Sequence, residues 1–118
     1  MNDEGFKVFV TFNPNSEVEE RTALRLQTIA NLYGVEVLLP YRRISNKLSS
    51  ETKNRIDRSR IVIAFSGSKL TSHLKQELIY AKSQNKTIVV IYNTSIGKNL
   101  IFKDYEKVQE FYLDYDNT

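Results

Sequence analysis

The stretch Ser59–Leu78, SRIVIAFSGSKLTSHLKQEL, constrains the fold more than any other part of the chain. Ile61-Val62-Ile63-Ala64-Phe65 is an apolar, largely β-branched run, Ser66-Gly67-Ser68 breaks it, and an amphipathic helical pattern carrying Glu77 follows. A short apolar run that ends in glycine and leads into a helix is the pattern of a buried parallel strand feeding a crossover helix. Ligands of open parallel sheets sit in the crevice beyond the carboxyl ends of such strands. Core and candidate site therefore fall in one segment. At about 100° per residue, Leu74, Leu78 and Ala81 form a narrow stripe that faces the sheet, with Glu77 at its edge and His73 and Tyr80 on its outer flank. Helical side chains tilt toward the N-terminus, so Glu77 leans back toward the Ser66-Gly67 turn. A carboxylate half-sheltered there can meet a developing positive charge. The competing reading is a boundary glutamate that reaches out to solvent.

The flanking segments fit the same architecture. Phe6–Phe12 alternates aromatic and branched residues and reads as a strand, ended by Asn13-Pro14-Asn15-Ser16. Ser16 followed by Glu19 is a capping-box pattern that starts a helix running to about Tyr33, with Thr22, Leu26, Ile29, Ala30 and Tyr33 on one face. Gly34 stops it. Val35–Pro40 is a second strand closed by proline, Tyr41–Leu48 a basic loop, and Ser49 or Ser50 the cap of a polar helix through Arg58 whose chief apolar residue is Ile56. Thr87–Tyr92 has the continuous apolar character of a strand buried on both faces. Asn93–Asp104 reads as a loop with room for one helical turn, and 108–115 as an edge strand or a short helix, the strand being favoured. Strands alternating with helices, joined by right-handed crossovers, give an α/β fold: a flavodoxin-like doubly wound parallel sheet of five strands in the order 2-1-3-4-5. The switch point falls between the first and third strands, in a crevice lined by Phe12, Asn13, Ser66 and Gly67, with Glu77 leaning in.

At 118 residues and 41% hydrophobic, the whole of 1–118 suits one domain with a single core. The absence of cysteine excludes a disulfide framework and a thiolate metal site, and suits a reducing, cytoplasmic setting. No apolar run approaches the roughly 20 residues of a membrane span. Residues 42–60 carry +5, seven basic residues against two acidic, between acidic chain ends. Such a patch can meet phosphates, an acidic partner or another copy of the chain. No nucleic-acid recognition motif accompanies it, and nucleic acid is not the expected partner. Neither G-x-G-x-x-G nor G-x-x-x-x-G-K-[ST] is present, and His73, the only histidine, stands in neither a nucleophile elbow nor a metal-ligand spacing, so no metal is expected.

KVFVTF in the first strand, Gly34–Pro40, Ile56-Asp57-Arg58-Ser59-Arg60-Ile61, Phe65-Ser66, Leu74-x-x-Glu77-Leu78 and Lys86–Ile91 occur in an order and spacing that resemble TIR (Toll/interleukin-1 receptor-like) domains of the small bacterial type, over about residues 6–92. The resemblance implies cleavage of NAD at the nicotinamide–ribose bond, with NAD as substrate and no permanently bound cofactor. Glu77 takes the place of the required glutamate, and His73 stands where the family carries tryptophan. The implied pocket includes Phe12 and Asn13, covered by Tyr41-Arg42-Arg43, with Arg42 or Arg43 available to a pyrophosphate. Also implied are a place in bacterial immune defence or nucleotide signalling, and self-association or binding of other TIR domains. Two alternatives stand beside it. One is a non-catalytic adaptor assembling through Arg42–Lys47. The other resembles the nucleoside 2-deoxyribosyltransferases, which share the sheet order and a helix-borne glutamate; their usual Asp-Gly-Thr stretch is replaced here by Ser66–Thr71.

Overall fold

Short apolar runs alternating with helical patterns oblige each new strand to lie parallel to the last. The computed structural model, which describes residues 5–42, 47–66, 71–93 and 105–114, has that arrangement. The elements are β1 (Lys7–Thr11), α1 (Glu17–Leu32), β2 (Glu36–Leu38), α2 (Ser50–Arg58), β3 (Ile61–Ser66), α3 (Ser72–Ser83), β4 (Thr87–Asn93) and β5 (Val108–Leu113). The sheet runs β2-β1-β3-β4-β5 with every pair parallel, the order expected from the sequence. The tail is the edge strand, over Val108–Leu113, with Asp114 beyond it and residue 115 of the expected 108–115 outside the described residues. The expected loop lies outside the described residues over 94–104.

Alternation along the strands divides the core into two layers. Phe9, Val62, Ala64, Ile88, Val90 and Tyr92 face α2 and α3, where Ile56, Leu74, Leu78 and Ala81 meet them. Val8, Val10, Phe12, Val37 and Phe65 face α1, packed with Ala23 and flanked by Leu26 and Ala30. Burial is unequal. Val62 and Ala64 are fully enclosed, whereas Ile63, on the α1 side, is only partly covered. Likewise β4 alternates between buried and half-buried, because α1 is the one described helix on that side.

Helix α1 departs from the face read in the sequence. Glu19, Thr22 and Ala23 are buried, while Ile29 is 54% and Tyr33 79% exposed. Two causes act together. The Glu19 carboxylate is drawn inward to accept the Asn13 N–H at 2.8 Å, which centres the buried stripe on Glu19, Ala23, Leu26 and Ala30 and leaves Ile29 at its rim. The helix, about 24 Å long at 1.5 Å per residue, also outruns the three-residue β2 beside it, so its last turn overhangs the sheet. Ser16 caps it as expected, accepting from Glu19 N, but Glu19 reaches past the cap to the turn that ends β1. At the far end Gly34, at φ 79°, closes a Schellman motif: Gly34 N–H donates to Asn31 O and Val35 N–H to Ala30 O. Asn85, at φ 60°, closes α3 the same way.

Candidate active site

The site is set by where β1, β2 and β3 end. In β1 the residues on the α3 side are Lys7, Phe9 and Thr11, so the last strand position places a hydroxyl, fully buried, at the carboxyl edge. Glu77 lies one turn past Leu74 on the sheet-facing stripe of α3. It is not half-sheltered at the edge of the stripe but 1% exposed. Thr11 Oγ1 donates to Glu77 Oε1. The guanidinium of Arg42 then binds both carboxylate oxygens: Nη2 donates to Oε1 at 2.8 Å and Nε to Oε2 at 3.0 Å. Nη2 also donates to Thr11 Oγ1 at 2.8 Å. A hydroxyl that accepts from the guanidinium and donates to the carboxylate has its proton direction fixed. Arg42 lies 5.6 Å from the centroid of the Phe12 ring, an added cation–π contact. Glu77 therefore leans toward β1 and Arg42, with side chains 1% and 13% exposed in the ion pair.

Arg42 is held there through the backbone before it. The Tyr41 N–H donates to Thr52 Oγ1 at 2.9 Å, and Thr52 Oγ1 donates back to Tyr41 O at 2.8 Å. Ser49, the N-cap of α2, adds a hydroxyl at 2.8 Å from the same carbonyl. Arg55 Nη1 reaches Leu39 O at 2.7 Å. On the far side of the loop, Leu48 N–H donates to Gln76 Oε1 of α3 at 3.0 Å. Both ends of the basic loop are thus tied down, one to α2 and one to α3.

The other residues singled out in the sequence divide into three groups. Phe12 joins the site as the platform under Arg42. Ser66 ends β3 on the α3 side, 3% exposed, and its hydroxyl has no hydrogen-bond partner among the described residues. A buried polar atom in that state at the carboxyl edge is available to a ligand. Asn13 serves the turn instead: its carbonyl accepts from Ser16 N–H and its Oδ1 from Asn15 N–H. His73 is half-buried in the first turn of α3. Tyr80 is turned away, donating to the Asp57 carboxylate of α2 at 2.8 and 3.0 Å, and burial followed by that bond pushes its hydroxyl up from the ordinary range. Arg43 and Gly67 lie outside the described residues. Among the described residues no group of three or more His, Asp or Glu side chains could hold a metal ion.

Two residues that the sequence reading did not assign belong to this edge. Thr11 was legible as the last polar position on the face of Phe9, a signal that alternation alone supplies. Tyr92 pairs in register with Ser66 and donates to Glu110 Oε2 of β5 at 2.9 Å. Burial, reinforced by Glu110, pushes its hydroxyl well above the ordinary tyrosine range.

The sequence matches no family model and no curated protein. Its fold does have solved counterparts. It is similar to the CMP N-glycosidase BcmB of Clostridium botulinum, with a TM-score of 0.65 and 17% identity over 92% of this chain and 89% of that one. A 2-deoxyribosyltransferase from Bacillus psychrosaccharolyticus is similar at a TM-score of 0.63 and 12% identity, over 94% of this chain and 88% of that one. At these identities the likeness is one of fold. No described helix is long and apolar enough to cross a membrane.

Proposed function

We propose that the chain is an enzyme that processes the N-glycosyl bond of nucleosides or nucleotides, with Glu77 as the catalytic carboxylate. The observation that carries the reading is Glu77 itself: a buried glutamate at the carboxyl edge of a parallel sheet, oriented by Thr11 and Arg42. The two solved proteins of similar fold, an N-glycosidase of CMP and a 2-deoxyribosyltransferase, support the same class of bond.

In the proposed reaction the base departs with the electron pair of its bond to the sugar C1′, taking a proton from water unless, like nicotinamide, it leaves neutral. Positive charge grows on C1′ and the ring oxygen, and the Glu77 carboxylate stabilises it and closes a bond to C1′. Oε1 already accepts from Thr11 and Arg42, while among the described residues Oε2 accepts only from Arg42 Nε, so Oε2 is the oxygen that meets C1′. Water then cleaves the glycosyl ester to give the free sugar, or a second base displaces Glu77 to give a new nucleoside.

The test is release of free base from nucleoside 5′-monophosphates, ribo- and 2′-deoxyribonucleosides, and NAD, followed by chromatography. NAD belongs in the panel because the TIR-like resemblance implies that substrate and the same kind of bond. Release from at least one of them is expected, together with a loss of roughly 10²–10³-fold or more in Glu77→Gln. A folded protein that releases no base from any of them would instead leave the non-catalytic adaptor. Turnover retained in Glu77→Gln would remove this residue from the chemistry.

A further inference from the structure

The catalytic carboxylate of the proposed reaction is covered in the resting protein. Both oxygens of Glu77 are taken by one guanidinium, which also occupies the hydroxyl of Thr11. A bidentate guanidinium–carboxylate pair, 13% and 1% exposed, is a closed unit that a neutral sugar has little means to open. A phosphate has such means, because it offers the same planar fork an acceptor of equal or greater charge. Arg42 is suited to the exchange. Its backbone is clamped at Tyr41, so the side chain alone need turn, and Nη1 bonds to no described residue. Once it turns, Glu77 keeps the Thr11 hydrogen bond and its place while losing the neutralising cation.

We infer that Arg42 is an exchange residue, passed from Glu77 to a phosphate of the substrate, and that phosphate binding thereby uncovers the catalytic carboxylate. The inference rests on the N-glycosyl reading for its consequence, a preference for nucleotides over nucleosides of the same base. Its binding step stands apart from turnover. The phosphate is either the monoester of a nucleoside 5′-monophosphate or the bridging diphosphate of a dinucleotide; the shared chemistry is a phosphate oxygen on the guanidinium.

The experiment uses two probes that carry no base–sugar bond: ribose 5-phosphate for the monoester and inorganic pyrophosphate for the diphosphate. Each is titrated calorimetrically into the wild-type chain, Glu77→Gln, Arg42→Met and Arg42→Lys, with ribose as the uncharged control and a melting curve to establish that each variant is folded. In the wild type Glu77 competes with the probe for Arg42. Glu77→Gln removes that competitor, so at least one phosphate probe should bind roughly tenfold or more tightly, the scale of a charge-assisted hydrogen bond. Ribose should be unaffected. Arg42→Met should abolish the gain when combined with Glu77→Gln, and Arg42→Lys should keep part of it. Equal or weaker phosphate binding in Glu77→Gln, wild-type affinity in Arg42→Met, or no binding of either probe would overturn the exchange. These readouts need no turnover. A chain that binds phosphate as described yet releases no base would refute the enzymatic reading and leave the exchange standing.

Discussion

A single hydroxyl decides how Glu77 is held in the candidate site. Among the described residues Thr11 Oγ1 is the one group that bonds both members of the ion pair, accepting from Arg42 and donating to Glu77. Thr11→Val keeps the shape and removes both bonds, and a buried donor left without its acceptor costs about 1–3 kcal/mol. We expect a melting temperature lowered accordingly and, on the proposed reaction, base release reduced with it, because the carboxylate loses its hydrogen bond to Thr11. Thr11→Ser, which keeps the hydroxyl, should recover most of the activity. Equal activity in Thr11→Val would mean that Arg42 alone positions Glu77. At this scale the sequence was legible in part. The place of Glu77 followed from helical spacing, since Leu74, Leu78 and Ala81 fix which way α3 faces. Its partner did not, because Arg42 is 35 positions away along the chain and reaches the site only through the clamp on Tyr41. A basic loop residue reads the same in a sequence whether it points into solvent or into a buried carboxylate.

At the scale of the element, helix ends were legible because capping is local chemistry. Ser16 and Ser49 cap α1 and α2 where expected, and Gly34 takes the positive φ that ends α1. Added Cβ at Gly34 would meet nothing within 4 Å, so Gly34→Ala is a test of backbone conformation alone. It should cost about 1–2 kcal/mol, the penalty for a left-handed residue that carries a side chain. Urea unfolding measures it, and a midpoint equal to that of the wild type would mean that the turn relaxes to another conformation. Helix faces were less legible than helix ends. Ile29 and Tyr33 satisfy the apolar period of α1 but sit at its rim and overhang, since the period says nothing of how long the neighbouring strand is. Tyr80 likewise sits on the correct flank of α3 for the site, yet Asp57 of α2 claims its hydroxyl.

For the whole molecule, the order of the sheet followed from the alternation of elements and the handedness of their connections, and the structure has that order. What the alternation could not choose was the function, because one fold carries many unrelated chemistries. One global property does follow from three tyrosines, Tyr92 buried and Tyr80 and Tyr105 half-buried. Burial raises the hydroxyls of Tyr92, Tyr80 and Tyr105 from their ordinary value of 10.0, with Glu110 and Asp57 adding to the first two. The folded chain then holds protons that the unfolded chain gives up. The stability this contributes is complete below about pH 10 and declines as the pH rises through the folded values. Melting temperature measured between about pH 8 and 12 should therefore fall on the alkaline side, and Tyr92→Phe should make that fall shallower. An unchanged slope in Tyr92→Phe would assign the alkaline loss to other groups.

The pair of hydroxyls at the start of α2 makes fraying of a helix an event in the candidate site. Ser49 and Thr52 complete the first turn of that helix and, with the same oxygen atoms, hold the peptide of Tyr41 from which Arg42 departs. Helix termini open locally far more readily than cores do. Each such opening releases the Tyr41 amide to exchange with solvent and loosens the anchor of the guanidinium in the same motion. The lifetime of the Arg42–Glu77 pair is thereby linked to the local stability of a nine-residue helix that supplies no group to the pair itself.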